Sequence, residues 1–276
     1  MIGWLIYSAV DVEKNKYYIQ MYKDKFKEHF IEIKLVIVEE LENMEQYVKC
    51  NKVDFAINRS RNHIMGELLE QKGVRVFNSS SVTRIANNKG ITYEFLKDVV
   101  PFLAVKYGNE IIESKIENKG FEYPYVIKSC SGHGGSQVFL VNNSKEEEQA
   151  VKAMNGQEYV VQQCCSDLGR DVRVYIIGNK IIKAVLRTST ESFKSNYSLG
   201  GKVQEYTLNN EEKAMVERIV DKLPLDYAGI DFTFNNGKAV FNEIEDAVGA
   251  RMLYQVSDIH IVEMYIKYIL EQLSKE

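Results

Sequence analysis

The sequence predicts an α/β and α+β protein, in which a leading parallel α/β domain (residues 1–82) precedes two α+β units (83–162 and 163–276). Three observations carry this reading. Apolar strand-like runs alternate with helix-spaced runs through the first third, the pattern of a parallel sheet covered by helices. The middle third holds short strands with tight turns around a single helix. The last third ends in Asp226–Arg251, DYAGIDFTFNNGKAVFNEIEDAVGAR, where two strand-like runs flank an Asn-Asn-Gly turn.

Composition sets the outer bounds. A chain of 276 residues suits two or three packed subdomains, and 45% hydrophobic with 27% charged residues is ordinary for a soluble globular protein. A net charge of −4 gives no reason to expect nucleic acid as a partner. The N-terminus lacks the basic start of a signal peptide, and no uncharged apolar run approaches membrane-spanning length. Cys50, Cys130, Cys164 and Cys165 have neither zinc-site nor disulfide-framework spacing, so reduced thiols and a cytoplasmic location are expected.

In chain order, Ile2–Val10 reads as a buried strand, followed by a helix over Asn15–Phe30 with Tyr18, Met21, Tyr22 and Phe26 at helical spacing. Strands at Ile31–Val38, Val53–Asn58 and Gly73–Phe77 alternate with helices at Leu41–Cys50 and His63–Gln71. Ligands of such sheets bind beyond the strand C-termini, where Ser8, Asn58, Arg59 and Asn78 fall. On that analogy Arg59 and Arg61 are candidates to grip an anionic substrate, against the commoner fate of a surface arginine that does nothing specific. No G-x-G-x-x-G follows the first strand, which argues against a dinucleotide site.

A helical stretch carrying Asn87, Asn88 and Lys89 leads into a helix at Ile91–Val99. Strands follow at Phe102–Tyr107, Tyr125–Ser129, Gln137–Val141 and Tyr159–Gln163, with a helix at Lys145–Met154. Lys128 ends the apolar run Tyr125-Val126-Ile127, and a lysine beside a core needs an anionic partner. The next residues, Ser129 to Ser136, form a small-residue loop whose backbone N–H groups can close over phosphate oxygens. It is not a Walker A loop, and alone it is weak evidence, since such Gly/Ser clusters usually mark plain surface turns.

Val172–Ile177 and Lys180–Arg187 form a hairpin over Gly178-Asn179. Arg173 and Arg187 share its cross-strand parity, which points both into one cavity, where they repel unless an anion lies between them; the plain alternative is a pair of surface salt bridges. A polar glycine-bearing loop spans Ser195–Gly201, and amphipathic helices are expected at Glu211–Lys222 and Ile259–Leu273. In the last hairpin a three-residue loop closed by Phe234 and Lys238 places Asp231 and Glu243 diagonally across the strands, roughly 7 Å apart, with Glu245 on the same face. Ile230, Phe232, Phe234, Val240 and Ile244 form the opposite, core face. Converging carboxylates without His or Cys suit Mg²⁺ or Mn²⁺; the plain alternative is an acidic solvent face.

Taken together, NNKGITYEFL around Lys89, YPYVIK with SGHGGSQVFLV, VVQQ, GRDVRVYIIG, AVLR, SNYSLGG, DYAGIDF and NEIEDAVGAR resemble the ATP-grasp superfamily, in particular its RimK-like and glutathione-synthetase-like ligases. The motifs span roughly residues 78–273, and their order and spacing make a specific match. The resemblance implies an ATP-grasp fold whose two α+β units sandwich ATP. It implies that Lys89 and Lys128 contact the phosphates and that Gly132, Gly134, Gly135 and Ser136 belong to the loop covering them. Gln162, Gln163, Cys164 and Cys165 correspond to the hinge whose backbone reads adenine. Asp171, Arg173 and Asn196 fall where the family contacts nucleotide or substrate, and Arg187 matches the arginine that steadies the transferred phosphoryl group. Lys128, Arg173 and Arg187 are thus the catalytic candidates, and Asp231, Glu243 and Glu245 the metal ligands. Two departures stand out: Glu245 replaces the usual Asn, and Gln137 stands where relatives often have glycine.

The activity implied is ATP-dependent joining of a carboxylate to an amine through an acyl phosphate, releasing ADP and phosphate. ATP and Mg²⁺ are the implied cofactors, with Mn²⁺ as the alternative cation. The substrates would be a small-molecule or peptide carboxylate and an amine such as an amino acid, and a homo-oligomer is compatible with the sequence. A kinase or carboxylate–thiol ligase on the same fold, or a non-catalytic nucleotide-binding module, is the rival reading.

Overall fold

The computed structural model of the chain describes residues 1–108, 121–135, 137–189 and 201–275. Its first sheet is parallel with order β2-β1-β3-β4, formed by β1 (Ile2–Tyr7), β2 (Glu32–Ile37), β3 (Phe55–Asn58) and β4 (Arg75–Phe77). The central strand β1 is covered on both faces, as its unbroken apolar run requires. Trp4 and Ile6 join a core with Val48, Met65 and Leu69 from helices α3 (Met44–Cys50) and α4 (His63–Gln71). Leu5 and Tyr7 face the other way, onto Ile19, Tyr22 and Phe26 of α2 (Lys16–Glu28). Side-chain alternation therefore distributes one strand between two cores. The first strand ends sooner than its hydrophobicity suggests, because Ser8 starts a helical turn, α1 (Ala9–Val12).

Asparagine caps half of the described α-helices. Asn43, Asn62, Asn88, Asn143 and Asn209 each accept a hydrogen bond from a backbone N–H of the first turn, supplying an otherwise unmet donor with a partner. Ser79 does the same for α5 (Ser80–Ala86). Asn88 opens α6 (Lys89–Leu96), so Lys89 is the first residue of a helix and not the middle of one.

The second sheet is antiparallel, with order β5-β8-β6-β7, from β5 (Val105–Tyr107), β6 (Tyr125–Ser129), β7 (Val138–Val141) and β8 (Tyr159–Gln163). Tyr125 and Ile127 pack under α7 (Ser144–Ala153) with Ala150 and Met154, which turns Val126 and Lys128 to the opposite face.

The third sheet has order β11-β10-β9-β12-β13, from β9 (Arg170–Ile177), β10 (Lys180–Thr188), β11 (Lys202–Tyr206), β12 (Tyr227–Asn235) and β13 (Lys238–Glu245). Val172, Val174, Ile230, Phe232 and Phe234 bury one face against Met215, Val216 and Ile219 of α8 (Asn210–Lys222). The other face is polar at one end, while Tyr175, Ile177 and Tyr227 at its other end join the core of α2. The closing helix α10 (Ile261–Leu273) adds Tyr265, whose ring meets Tyr22 edge-on at 6.3 Å, so the last helix packs on the first domain. Strand β11 and the helix α9 (Arg251–Val256) were not expected from the sequence. Both are short, and neither has a strong periodic apolar signal.

Buried polar side chains fasten the first sheet to the third. Asn78, just past β4, accepts from Asp226 N–H (2.7 Å) and Tyr227 N–H (3.0 Å), and its amide donates to the Tyr227 carbonyl (2.7 Å). Asn78→Ala leaves these backbone groups without partners in a buried place. It is expected to destabilise the chain by about 2–4 kcal/mol, seen as a lower urea midpoint at unchanged slope.

Candidate functional site

The second and third sheets face each other across a cleft of about 490 Å³, with α1 and the start of α2 at one end. Val126, Leu103 and Ile244 give it apolar wall, and charged groups converge from both sheets. This is the composition of a small-molecule site, with apolar lining and a few placed polar groups.

From the second sheet comes Lys128, only 8% exposed, whose Nζ donates to Asn242 Oδ1 at 2.8 Å. Lys89 approaches from the start of α6. Its backbone N–H donates to the Cys130 carbonyl (2.9 Å), and its Nζ donates to the Gly132 carbonyl (2.7 Å) and lies 3.6 Å from Glu243. The two expected phosphate lysines thus meet in one place. Gly132, Gly134 and Gly135 line the same cleft. Gly134 and Gly135 have φ of 62° and 76°, the left-handed region in which a side chain is costly. Ser136 and Asn196 lie outside the described residues.

Of the residues expected to form a hinge, Gln162, Gln163 and Cys165 line the cleft. Cys164 is half-buried and does not belong to that lining. The Gln162 side chain is not free to vary, as a backbone-reading hinge would allow. It donates to the Tyr93 hydroxyl (3.0 Å), which donates in turn to the Asn242 carbonyl (2.8 Å), tying the hinge to the hairpin of the other sheet.

That hairpin differs from its expected register. Asn235 pairs with Lys238, and Asn236 and Gly237 (φ 52° and 73°) form a two-residue turn, the type whose twist matches the strands. A bulge then leaves Asn242 as an extra residue, so Asp231 stands directly opposite Glu243 and not diagonal to it. The signal in the sequence is the adjacent polar pair Asn242-Glu243, which breaks the alternation. The roles of Asn242, Tyr93 and the bulge do not follow from the local pattern because they depend on partners far away in the chain.

Arg173 and Arg187 do share a face, and the anion between them belongs to the protein. Arg173 is paired across the ladder with Asp231, and Arg187 with Asp171. Arg173 Nε and Nη2 donate to Asp231 Oδ1 and Oδ2, both at 2.7 Å, and Nη2 also lies 2.6 Å from Glu245. Arg187 Nη2 donates to Asp231 Oδ2 at 2.6 Å and to Asp171 Oδ2 at 2.8 Å, while its Nε bonds Asp171 Oδ1. The charges alternate in the order Asp171, Arg187, Asp231, Arg173, Glu245. Burial alone would raise the Asp231 pKa; the two guanidinium groups outweigh it and hold the carboxyl below its usual range. Gly229 makes room for this, since a Cβ there would lie 3.3 Å from Arg173 Cδ and 2.8 Å from Val248.

The expected metal triad is therefore not assembled as three open carboxylates. Asp231 is 0% exposed, whereas the Glu243 and Glu245 side chains are 35% and 32% exposed on the cleft wall. Among the described residues no group of three His, Cys, Asp or Glu is arranged to hold a metal ion. Glu243 and Glu245 are hard oxygen donors open to the cleft, and these two fit a divalent cation.

Arg59 is not a substrate-gripping residue. It is buried, donating from Nε to the Tyr7 hydroxyl (3.0 Å) and from Nη2 to the Val248 carbonyl (2.7 Å), with its guanidinium carbon 5.2 Å from the Tyr18 ring centroid. Arg61 does line the cleft, held by an ion pair with Asp11.

The model of the RimK-like ATP-grasp domain matches residues 94–269. The uncharacterized protein MG011 of Mycoplasma genitalium is 32% identical over 269 residues, 96% of this chain and 91% of that one. A probable alpha-L-glutamate ligase of Haemophilus ducreyi is 24% identical over 206 residues, 72% of this chain and 67% of that one. Among solved structures, a RimK-domain ATP-grasp protein from Sphaerobacter thermophilus superposes with a TM-score of 0.74 at 18% identity, covering 98% of this chain and 100% of that one. The D-alanine–D-alanine ligase of Bacillus anthracis complexed with ATP gives 0.76 at 17% identity, covering 100% and 98%. At these identities the structural likeness establishes the ATP-grasp fold. Among the described residues no helix is long and apolar enough to cross a membrane.

Burial, aided by Lys89 and opposed by Glu243, lowers the Lys128 pKa to about 8. A phosphate against that ammonium favours its charged form, so nucleotide binding near pH 8 is expected to take up protons. Calorimetry in buffers of different ionisation enthalpy measures the uptake, and Lys128→Met is expected to lose most of it.

Proposed function

The chain belongs to the RimK-like ATP-grasp family, and on that premise we propose that it is an ADP-forming carboxylate–amine ligase working through an acyl phosphate. The observation that carries the reading is the meeting of Lys89 and Lys128 with Glu243 and Glu245 across one cleft, beside the paired arginines. In this reading residues 1–82 supply substrate surface, and 83–162 and 163–276 enclose the nucleotide. The substrate amine is an amino acid, in line with the amino-acid ligases among the relatives.

Lys89 and Lys128 neutralise the phosphates, and the glycines at 132, 134 and 135 let the loop approach them closely. Mg²⁺, held by Glu243 and Glu245, would offset the repulsion between the triphosphate and the attacking carboxylate. Arg173 and Arg187, already fixed in orientation by Asp231 and Asp171, present preorganised positive charge where the phosphoryl group transfers. The loop from Ser131 excludes water, which would otherwise hydrolyse the acyl phosphate. The amine then attacks the acyl carbon, the C–N bond forms, phosphate leaves and the amine proton passes to solvent.

Two outcomes test this. Glu243→Ala is expected to abolish Mg²⁺-dependent ATP turnover with an unchanged circular-dichroism spectrum; wild-type turnover at saturating metal would remove the metal role. With hydroxylamine replacing the amine in a screen of amino acids and peptides, the acyl phosphate is expected to yield a hydroxamate detected by mass spectrometry, a product that phosphorylation of an alcohol cannot give.

A further inference from the structure

Asp231 stands at a position that the family resemblance assigns to metal binding, yet its carboxylate is committed elsewhere. Three charge-assisted hydrogen bonds reach it, two from Arg173 at 2.7 Å each and one from Arg187 at 2.6 Å. A carboxylate offers about four acceptor directions, so little capacity remains. The side chain is 0% exposed and does not form part of the cleft wall. A cation reaching Asp231 would have to displace a guanidinium and leave it uncompensated among buried residues, which is strongly unfavourable. Glu243 and Glu245 contrast in access, their side chains being 35% and 32% exposed, although Glu245 also meets Arg173 Nη2 at 2.6 Å. Both line the cleft, and the nearest cation to Glu243 among the described residues is Lys89 at 3.6 Å.

We infer that Asp231 is a positioning residue for Arg173 and Arg187 and not a ligand of the catalytic cation, to which this chain contributes the carboxylates of Glu243 and Glu245. The inference rests on the ligase reading, since Mg·ATP is what the cleft is taken to hold. The cation completes its oxygen shell from nucleotide phosphates and water, as Mg²⁺ commonly does. Asp231 acts through the arginines: it grips one guanidinium by both oxygens and the second by one, setting the angle between the two forks. A substituted lysine, a rotatable point charge, cannot keep that geometry. Gly229 belongs to the same device, because it leaves the Arg173 stem room to lie across β12.

Crystals of the full chain grown with Mn²⁺ and a non-hydrolysable ATP analogue test this without any substitution. The expected anomalous peak lies about 2.1 Å from oxygens of Glu243 and Glu245, with Asp231 still bonded to both arginines. A peak at bonding distance from Asp231 overturns the inference and leaves the ligase reading intact. Nucleotide bound without metal at Glu243 and Glu245 also overturns it, and failure of the analogue to bind at all overturns the ligase reading with it.

Solution measurements give a second line. Asp231→Asn is expected to keep Mn²⁺ affinity in the analogue complex within about twofold by electron paramagnetic resonance, while Glu245→Gln weakens it about tenfold. The same Asp231→Asn variant is expected to lower kcat about 100-fold with KM for ATP little changed, the split of a group acting on the transition state through its neighbours. Loss of Mn²⁺ affinity equal to that of Glu245→Gln overturns the assignment.

Discussion

The alternating row of Asp171, Arg187, Asp231, Arg173 and Glu245 occupies one face of the third sheet, and its inner members are almost wholly out of water. Each buried charge is tolerable only because its neighbours satisfy it, and removing one would strand the next. The constraint begins in the backbone. Register sets Arg173 beside Asp231 and Arg187 beside Asp171, so the ladder bonds of β9, β10 and β12 deliver the side chains already matched. The apolar reverse of the same strands, packed on α8, holds that register, because a slip by one residue would exchange charge for core. Core packing on one face therefore fixes electrostatic geometry on the other.

The hairpin of β12 and β13 extends this row into the cleft. Its bulge inserts Asn242, which offers Oδ1 to Lys128 and its carbonyl to Tyr93. Through Tyr93 the same residue meets Gln162 near the end of β8, so a single extra residue couples the two sheets that face the cleft. With Asn242 in place, Asp231 and Glu243 are opposite one another but differ in solvation: one is sealed behind arginines and the other is open. Two carboxylates of identical formal charge thereby acquire different chemistry from their surroundings.

The first domain is attached by polar contacts that are themselves buried. Asn78 caps the start of β12, while Arg59 ties β3 to the Val248 carbonyl and stacks on Tyr18. Tyr18 and Asp11 lie on the cleft wall, so the attachment also sets the far end of the site. An arginine that reads as a ligand residue from its place beyond a strand end is instead part of this joint. The neighbouring Arg61 is the one left facing the cleft.

How much of this was legible in the chain depends on the range of the interaction. Strand and helix identity follows from local periodicity, so the parallel first sheet and the antiparallel later ones could be read directly, whereas the start of α6 at Lys89, set by the Asn88 cap, could not. Motif order alone pointed to the family, to Lys89 and Lys128, and to the shared face of Arg173 and Arg187, because spacing along strands sets parity. Periodicity is silent on which groups are brought together from distant elements. Asp231 read as an open acidic ligand until Arg173 and Arg187 closed over it, and Arg59 read as a substrate contact until Val248 and Tyr7 met it. The amino-acid pattern decided which residues share a face; only tertiary packing decided which of them keep water, since solvation is set by neighbours far away in the chain.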